Sequence, residues 1–250
     1  MTPIETLHHR AETSPKSIAF SKGQDVWTYE RLAVEAERLA YGLAGYGIRK
    51  GDRIALHMVN RPELIIAYYA CFQMGAIAVP LASGFRPAEL GPLLRLLQPS
   101  LYIGEVNLYR NVAAIDLSVI ALNRRFIVDR PVKSFGASPW TGLLADMAGE
   151  PVLADPETYG PAVLLNMAGT TDPPKFIIHT AQTLAGAADS YEHWVFDGDQ
   201  VKPLALPLVH ASGLFSMLAH IQFRAPFVLF ERFDAETGRN LIKHRSRDNV

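Results

Sequence analysis

A single cysteine, Cys71, occurs in 250 residues, so no disulfide within the chain can staple the fold. It sits in AYYACFQMG, an apolar run with helical spacing, where a buried structural thiol is expected. No apolar run approaches the length that spans a bilayer. The first residues, MTPIETLHHRAETSP, lack the basic and then apolar segments of a secretory signal. No membrane partner and a cytoplasmic location are therefore expected. Charge of neither sign predominates, with 24 basic against 25 acidic residues and a net charge of −1. A basic stripe is absent, which removes the electrostatic footprint of a nucleic-acid binder. The one basic cluster, Lys243, His244, Arg245 and Arg247, reads as the solvated last turn of a helix. The histidines show no metal-ligand spacing such as H-E-x-x-H, so no protein metal site is expected. Internal repeats and low-complexity segments are also missing.

What remains is a globular composition, 49% hydrophobic, arranged as alternating helices and short apolar strands. Thr28 is expected to cap a helix with Leu32, Ala36, Leu39, Ala40 and Leu43 on one face, ended by Gly45 and Gly47. Strand RIALHMV follows. Asn60 and Pro62 open a second helix that stops at Gly75, and AIAVPLA is the next strand. Pro87 opens a third helix, which Gly91-Pro92 is expected to kink or divide. LYIGE and RFIVD read as strands, and WTGLLADMA as a helix in an otherwise proline- and glycine-rich connection. Beyond it come strand GPAVLLNM, strand KFIIHT, helix AQTLAGAADSYEHW, strand KPLALPL, helix ASGLFSMLAHIQF and strand PFVLFERF. A last helix is expected from Asp234. This order predicts an α/β layered fold with mainly parallel sheets.

The connection between GPAVLLNM and KFIIHT carries the most chemistry: AGTTDPPK, Ala168 to Lys175. Gly169 lets a ligand approach the main chain, and successive turn amides can converge on an anion. Thr170 and Thr171 add hydroxyls. Lys175 adds a full charge, presented from a backbone that Pro173 and Pro174 stiffen. These parts suit a polyphosphate, but they equally suit a polar connection between two strands. The P-loop pattern is excluded, since no glycine precedes the lysine, no hydroxyl follows it and the loop leads into a strand.

The stretch NMAGTTDPPKFIIHT resembles the phosphate-binding signature of the adenylate-forming enzymes, the superfamily of acyl-CoA synthetases, peptide-synthetase adenylation domains and luciferases. VWTYERLAVEAERLAYGLAGYGIRKGDRIAL, NRPELIIAYYACFQMGAIAVPLASGFRPAEL and PLALPLVHASGLFSM are similar to further family segments, in the same order. The Val-Pro-Leu and His-Ala-Ser-Gly versions look most like acyl- or aryl-acid CoA ligases. The resemblance implies a layered αβαβα fold. It implies a lobe over about residues 1–155, then the phosphate loop and the start of a second lobe over about 156–250, with no C-terminal lid. It also implies activation of an aryl or acyl carboxylic acid with ATP and Mg2+, followed by transfer to coenzyme A. Carried over by position, Ala168, Gly169, Thr170, Thr171 and Lys175 would hold the phosphates. Lys175 and Thr170 would act in catalysis, and His210, Ala211 and Gly213 would face the acid. His179 falls just after the loop, where it could meet nucleotide or simply end a strand.

Three loop positions depart from the family pattern. Ala168 stands where serine or glycine is usual, Asp172 replaces a glycine, and Phe176 replaces the glycine after the lysine. At ~4 Å and an effective dielectric of ~20, the Asp172 charge would oppose an anion by about 4 kcal/mol. The Y-G-x-T-E and T-G-D segments and the lid lysine are not found. Three readings follow. The chain is an N-terminal piece of an acid–CoA ligase, inactive alone; or a short nucleotide- or acid-binding pseudoenzyme; or an interaction protein whose fold a partner completes. All three predict self-association through exposed sheet edges.

Overall fold

The computed structural model describes residues 1–113, 115, 119–129, 136–145, 160–166, 175–195 and 201–231. Helix α1 (Pro3–Thr13) opens the chain. Thr2 and Glu5 form a capping box that satisfies two amides at its start. Strands β1 (Ile18–Lys22) and β2 (Asp25–Thr28) form an antiparallel hairpin turned at Gly23, whose φ of 60° favours glycine. Thr28 then caps α2 (Tyr29–Gly45) by accepting from the Arg31 amide. The five apolar residues expected on one face of α2 are all buried.

The next elements alternate as the sequence predicts. They are β3 (Arg53–His57), α3 (Pro62–Met74), β4 (Ile77–Pro80), α4 (Pro87–Leu97), β5 (Leu101–Gly104), α5 (Val106–Ala113), β6 (Arg125–Ile127) and β7 (Ser138–Pro139). Gly75 ends α3 at φ 67°, a C-terminal position that a side chain would strain. Helix α4 is continuous through Pro92, so of the two expectations there, a kink or a division, the division does not occur. Pro92 and Ala88 both face solvent, so water can take the carbonyl that the missing proline N–H leaves free. WTGLLADMA gives only a short 3₁₀ turn, Trp140–Leu143, among its described residues. Beyond it lie β8 (Pro161–Asn166), β9 (Phe176–Thr180), α6 (Ala181–Ser190), α7 (Glu192–Val195), β10 (Lys202–Leu204), α8 (Ala211–Gln222) and β11 (Phe227–Leu229). The helix expected from Asp234 lies outside the described residues.

Two mixed, mainly parallel sheets result, ordered β7-β6-β5-β3-β4-β8-β9 and β10-β11-β1-β2. Among the described strands, only β8–β9 and β1–β2 pair antiparallel. Alternate residues of the larger sheet feed two cores. Ala55, Val79, Tyr102 and Ile127 face Leu90, Leu94 and Val112 of α4 and α5. Ile54, Leu56, Leu101 and Ile103 face the other way, into a cluster shared with α1, α2, α3, α6, α8 and the smaller sheet. Helix α3 lies in this inner layer and buries all its residues but Glu63, which explains why it is apolar on every side. Four layers are thus formed by the described residues. Both sheets take strands from each side of residue 155, and Phe20 of β1 stacks on Phe227 of β11 with ring centroids 5.3 Å apart. Among the described residues, no helix is long and apolar enough to cross a membrane.

Close approach of α2 to the 140–143 turn requires glycine. A Cβ on Gly42 would lie 1.5 Å from the Leu143 carbonyl oxygen, whereas one on Gly45 would meet nothing within 4 Å. Gly42→Ala is expected to lower unfolding free energy by at least about 3 kcal/mol, because the obstacle is backbone. Gly45→Ala should raise it by about 0.4–1 kcal/mol by restricting the unfolded chain. Urea unfolding of both variants checks this, and equal effects would contradict the packing described.

Candidate functional site

Strands β3, β4, β5, β6 and β8 are mutually parallel, so the segments leaving their C-terminal ends gather along one edge of the sheet. In open α/β sheets this is the edge where ligands bind. The 167–175 connection leaves β8 on that edge and returns as β9, with Asn166 and Phe176 as the last paired residues. Ala168, Gly169, Thr170, Thr171 and Asp172 lie outside the described residues. Lys175 is described and exposed, and no described carboxylate pairs with it. Asn166 Oδ1 is buried without a partner among the described residues, at the foot of the same connection. The exposed Lys175 ammonium is compatible with an anionic ligand here, whereas the spare Asn166 acceptor calls for a donor. Phe176, which departs from the family pattern, is half-buried against the core on the α4–α5 side.

The second expected element is the start of α8. His210 occupies the N-cap position and is exposed, and its imidazole makes no capping hydrogen bond. Its amide donates to the Pro207 carbonyl at 3.0 Å and its carbonyl accepts from Leu214 at 3.0 Å, so the backbone is satisfied. Ala211 and Ser212 are exposed in the first turn, while Gly213 is buried. A Cβ on Gly213 would stand 2.1 Å from the Pro207 carbonyl oxygen, so only glycine lets the helix close on the segment before it. His179 of β9 meets Phe215 of α8 edge-on at 5.2 Å, and Tyr191 meets the other side of that network at 6.3 Å. Partial burial lowers the His179 pKa. These rings join β9, which follows Lys175, to α8, which follows its N-cap His210.

Several residues on this edge were not singled out as site residues in the sequence. Asn60, expected to open α3, instead turns its carboxamide toward the segment before α8, donating to Leu206 O at 2.9 Å and Phe230 O at 3.0 Å. The helix N-cap is Arg61. Arg61 pairs with Glu63 at 2.9 Å and Asp129 at 3.0 Å, and approaches Glu105 at 3.7 Å. Glu105 also accepts from the Val59 amide at 3.2 Å, and burial raises its pKa. The cluster braces the ends of β3, β5 and β6. His57 is fully buried, with Nδ1 3.0 Å from the Tyr102 hydroxyl and Nε2 without a hydrogen-bond partner among the described residues. Gly104 makes room for that hydroxyl, since a Cβ there would lie 2.2 Å from it. Single-sequence patterns carry no signal for these pairings beyond the presence of polar residues in apolar strand ends. Among the described residues no three His, Cys, Asp or Glu side chains cluster as metal ligands.

The sequence model of the family described as AMP-binding enzyme matches residues 7–246. The 2-succinylbenzoate–CoA ligase of Bacillus licheniformis is 27% identical over 252 residues, which cover 95% of this chain and 46% of that protein. The crotonobetaine/carnitine–CoA ligase of Salmonella typhimurium is 29% identical over 218 residues, 84% of this chain and 41% of that protein. Among solved structures, the inhibitor-bound N-terminal domain of FACL13 from Mycobacterium tuberculosis superposes with a TM-score of 0.80 at 25% identity. It covers 96% of this chain and 60% of that one. O-succinylbenzoate CoA synthetase from Bacillus subtilis, solved with its acyl-adenylate intermediate, shares the fold at a TM-score of 0.76 and 23% identity, over 46% of its length. The chain therefore spans about half the length of the curated relatives it matches.

Burial makes one pH dependence specific. His57 and His220 are both pushed down to about 4 from 6.5, chiefly by burial. Between those values the unfolded chain binds protons that the folded chain refuses. Stability is therefore full above pH 6.5 and is lost as pH falls toward 4, by up to about 3 kcal/mol per histidine. Urea midpoints at pH 7.5 and 4.5 measure the loss. His57→Phe and His220→Phe should each flatten the dependence, and an unchanged slope in both would contradict neutral burial.

Proposed function

The chain belongs to the AMP-binding enzyme family, and from that premise we propose that it is the phosphate-loop half of an ATP-dependent carboxylic acid–CoA ligase. The reaction read for the whole protein is acid plus ATP to acyl-adenylate and pyrophosphate, then transfer of the acyl group to the coenzyme A thiol. The observation that supports this most is the 167–175 connection: it carries the family-like AGTTDPPK sequence and leaves β8 at the C-terminal edge of a parallel sheet. A match over residues 7–246 embeds that connection in a family-wide resemblance rather than an isolated motif.

In this reading the amides and hydroxyls of Gly169, Thr170 and Thr171, with the Ala168 backbone, cradle the β- and γ-phosphates. The Lys175 ammonium orients them and neutralises charge on departing pyrophosphate, with Thr170 as its hydrogen-bonding partner in that task. His210, Ala211 and Gly213 form the wall toward the acid. The N-terminus of α8 favours a carboxylate there. Magnesium, when bound, would supply further charge neutralisation. In this reading the ion is held mainly by phosphate oxygens and water. The division into a lobe over about 1–155 and the start of a second over about 156–250 belongs to the same proposal, as does completion of the site by further polypeptide.

Two measurements test it. Calorimetry of residues 1–250 with ATP and magnesium should show binding that Lys175→Ala weakens about tenfold or more, the worth of one charge-assisted contact. Unchanged heats would remove Lys175 from the site. Pyrophosphate exchange with a panel of aryl and acyl acids should be negligible for residues 1–250 and should appear when they are extended to the length of the relatives. Robust exchange by residues 1–250 alone would contradict the half-site reading.

The same proposal predicts self-association. Strand β9 is an edge strand with Ile177 44% and Ile178 59% exposed, a combination that invites pairing with another edge. Sedimentation of residues 1–250 should show oligomers that Ile178→Lys shifts toward monomer; a concentration-independent monomer would refute this.

A further inference from the structure

We propose that Asn60 is a positioning residue for the His210 end of α8. It acts by fixing the main chain of residues 206–208 against the ligand-binding edge of the larger sheet. The inference rests on the reading that this helix start faces the acid, but the clamp itself is a matter of geometry and is tested separately.

Asn60 is 3% exposed and follows the C-terminal end of β3. Its carboxamide is used in both senses. Nδ2 donates to Leu206 O at 2.9 Å and to Phe230 O at 3.0 Å, and Oδ1 accepts from the Leu208 amide at 2.7 Å. Turning the amide over would set its oxygen against two carbonyls and its N–H groups against an N–H donor, so the partners dictate one orientation. No other side chain of this size offers two donors and an acceptor in that arrangement. A carboxylate would repel Leu206 O and Phe230 O, and an apolar side chain would strand three backbone groups, the buried Leu208 amide among them.

Leu208 is held at its other backbone group as well. The Tyr68 hydroxyl, on buried α3, donates to Leu208 O at 2.9 Å. From the opposite side, the first turn of α8 presses on the Pro207 carbonyl at Gly213, where a Cβ would come within 2.1 Å. Pro207 O also receives the His210 amide at 3.0 Å. The segment is therefore gripped by β3's end, by α3 and by α8 together. His210 begins two residues later, and its ring makes no capping hydrogen bond. The Phe230 contact adds a second consequence, because it ties the end of β11 in the smaller sheet to the end of β3 in the larger one.

The test uses the whole chain and three variants: Asn60→Ala, Asn60→Asp and Tyr68→Phe, the last removing only a hydroxyl. Backbone amide exchange is read at Leu208 and His210, with Ala55 in the core of β3 as internal control. The His210 ring is followed by its Cε1 proton resonance. Asn60→Ala and Asn60→Asp should accelerate exchange at Leu208 and His210 by tenfold or more over any change at Ala55, and should shift or broaden the His210 resonance. Tyr68→Phe should do the same in smaller measure, about threefold. In the extended, exchange-active protein, KM for the acid should rise about tenfold in Asn60→Ala while KM for ATP changes less than twofold. Exchange that rises equally at Ala55 and Leu208, or an unmoved His210 resonance, would overturn the clamp. If the unmodified protein shows no acid or ATP dependence at all, the functional reading fails, and the amide exchange and His210 resonance still decide the clamp.

Discussion

Parallel pairing is the constraint on which the rest depends. Once β3, β4, β5, β6 and β8 run the same way, each must be returned by a crossover, and every crossover leaves from the same edge. That edge therefore collects Asn60, Glu105 and the 167–175 connection, residues from widely separated parts of the chain. Burial on both faces follows from the same constraint and explains why the strands are nearly continuous apolar runs.

Several polar groups enter this apolar setting paired or uncharged. Arg61 is surrounded by three carboxylates, Asn60 fills three hydrogen bonds, and His57 stays uncharged. The two sheets are not independent bodies in sequence. Strands 202–204 and 227–229 join the hairpin 18–28, while 161–166 and 176–180 extend the sheet begun at 53–57. The interleaving makes the ends of the described chain mutually dependent, and the Phe20–Phe227 stack and the Arg10 bond to Gln222 O are its local expression.

Much of this was legible from patterns. The 3.6-residue spacing of Leu32, Ala36, Leu39 and Leu43, the Thr28 cap, and Gly75 at a left-handed position all reported α2 and α3 directly. The αβ alternation reported the layered class. Other features escaped. Helix α1 and the β1–β2 hairpin are weakly marked in the sequence, although Thr2 and Glu5 carry a capping box, because α1 exposes much of its surface and its apolar pattern is short. The proline rule predicts a kink or a division at Pro92, and solvent exposure of the freed carbonyl lowers the cost that the rule assumes. Of the candidate site, the AGTTDPPK sequence and the His210–Gly213 turn stand out by composition. Asn60 and Tyr68 do not, since their partners lie 140 to 170 residues away.

The amino-acid order alone determined the alternation of elements, the family resemblance and which residue types are offered to a phosphate, because these rest on spacing and side-chain chemistry within a few residues. Tertiary structure decided which edge carries the loop, why Gly213 and Gly42 must be glycine, and what Asn60 holds. Those outcomes depend on atoms brought within 3 Å from distant segments, and no local period records such an approach.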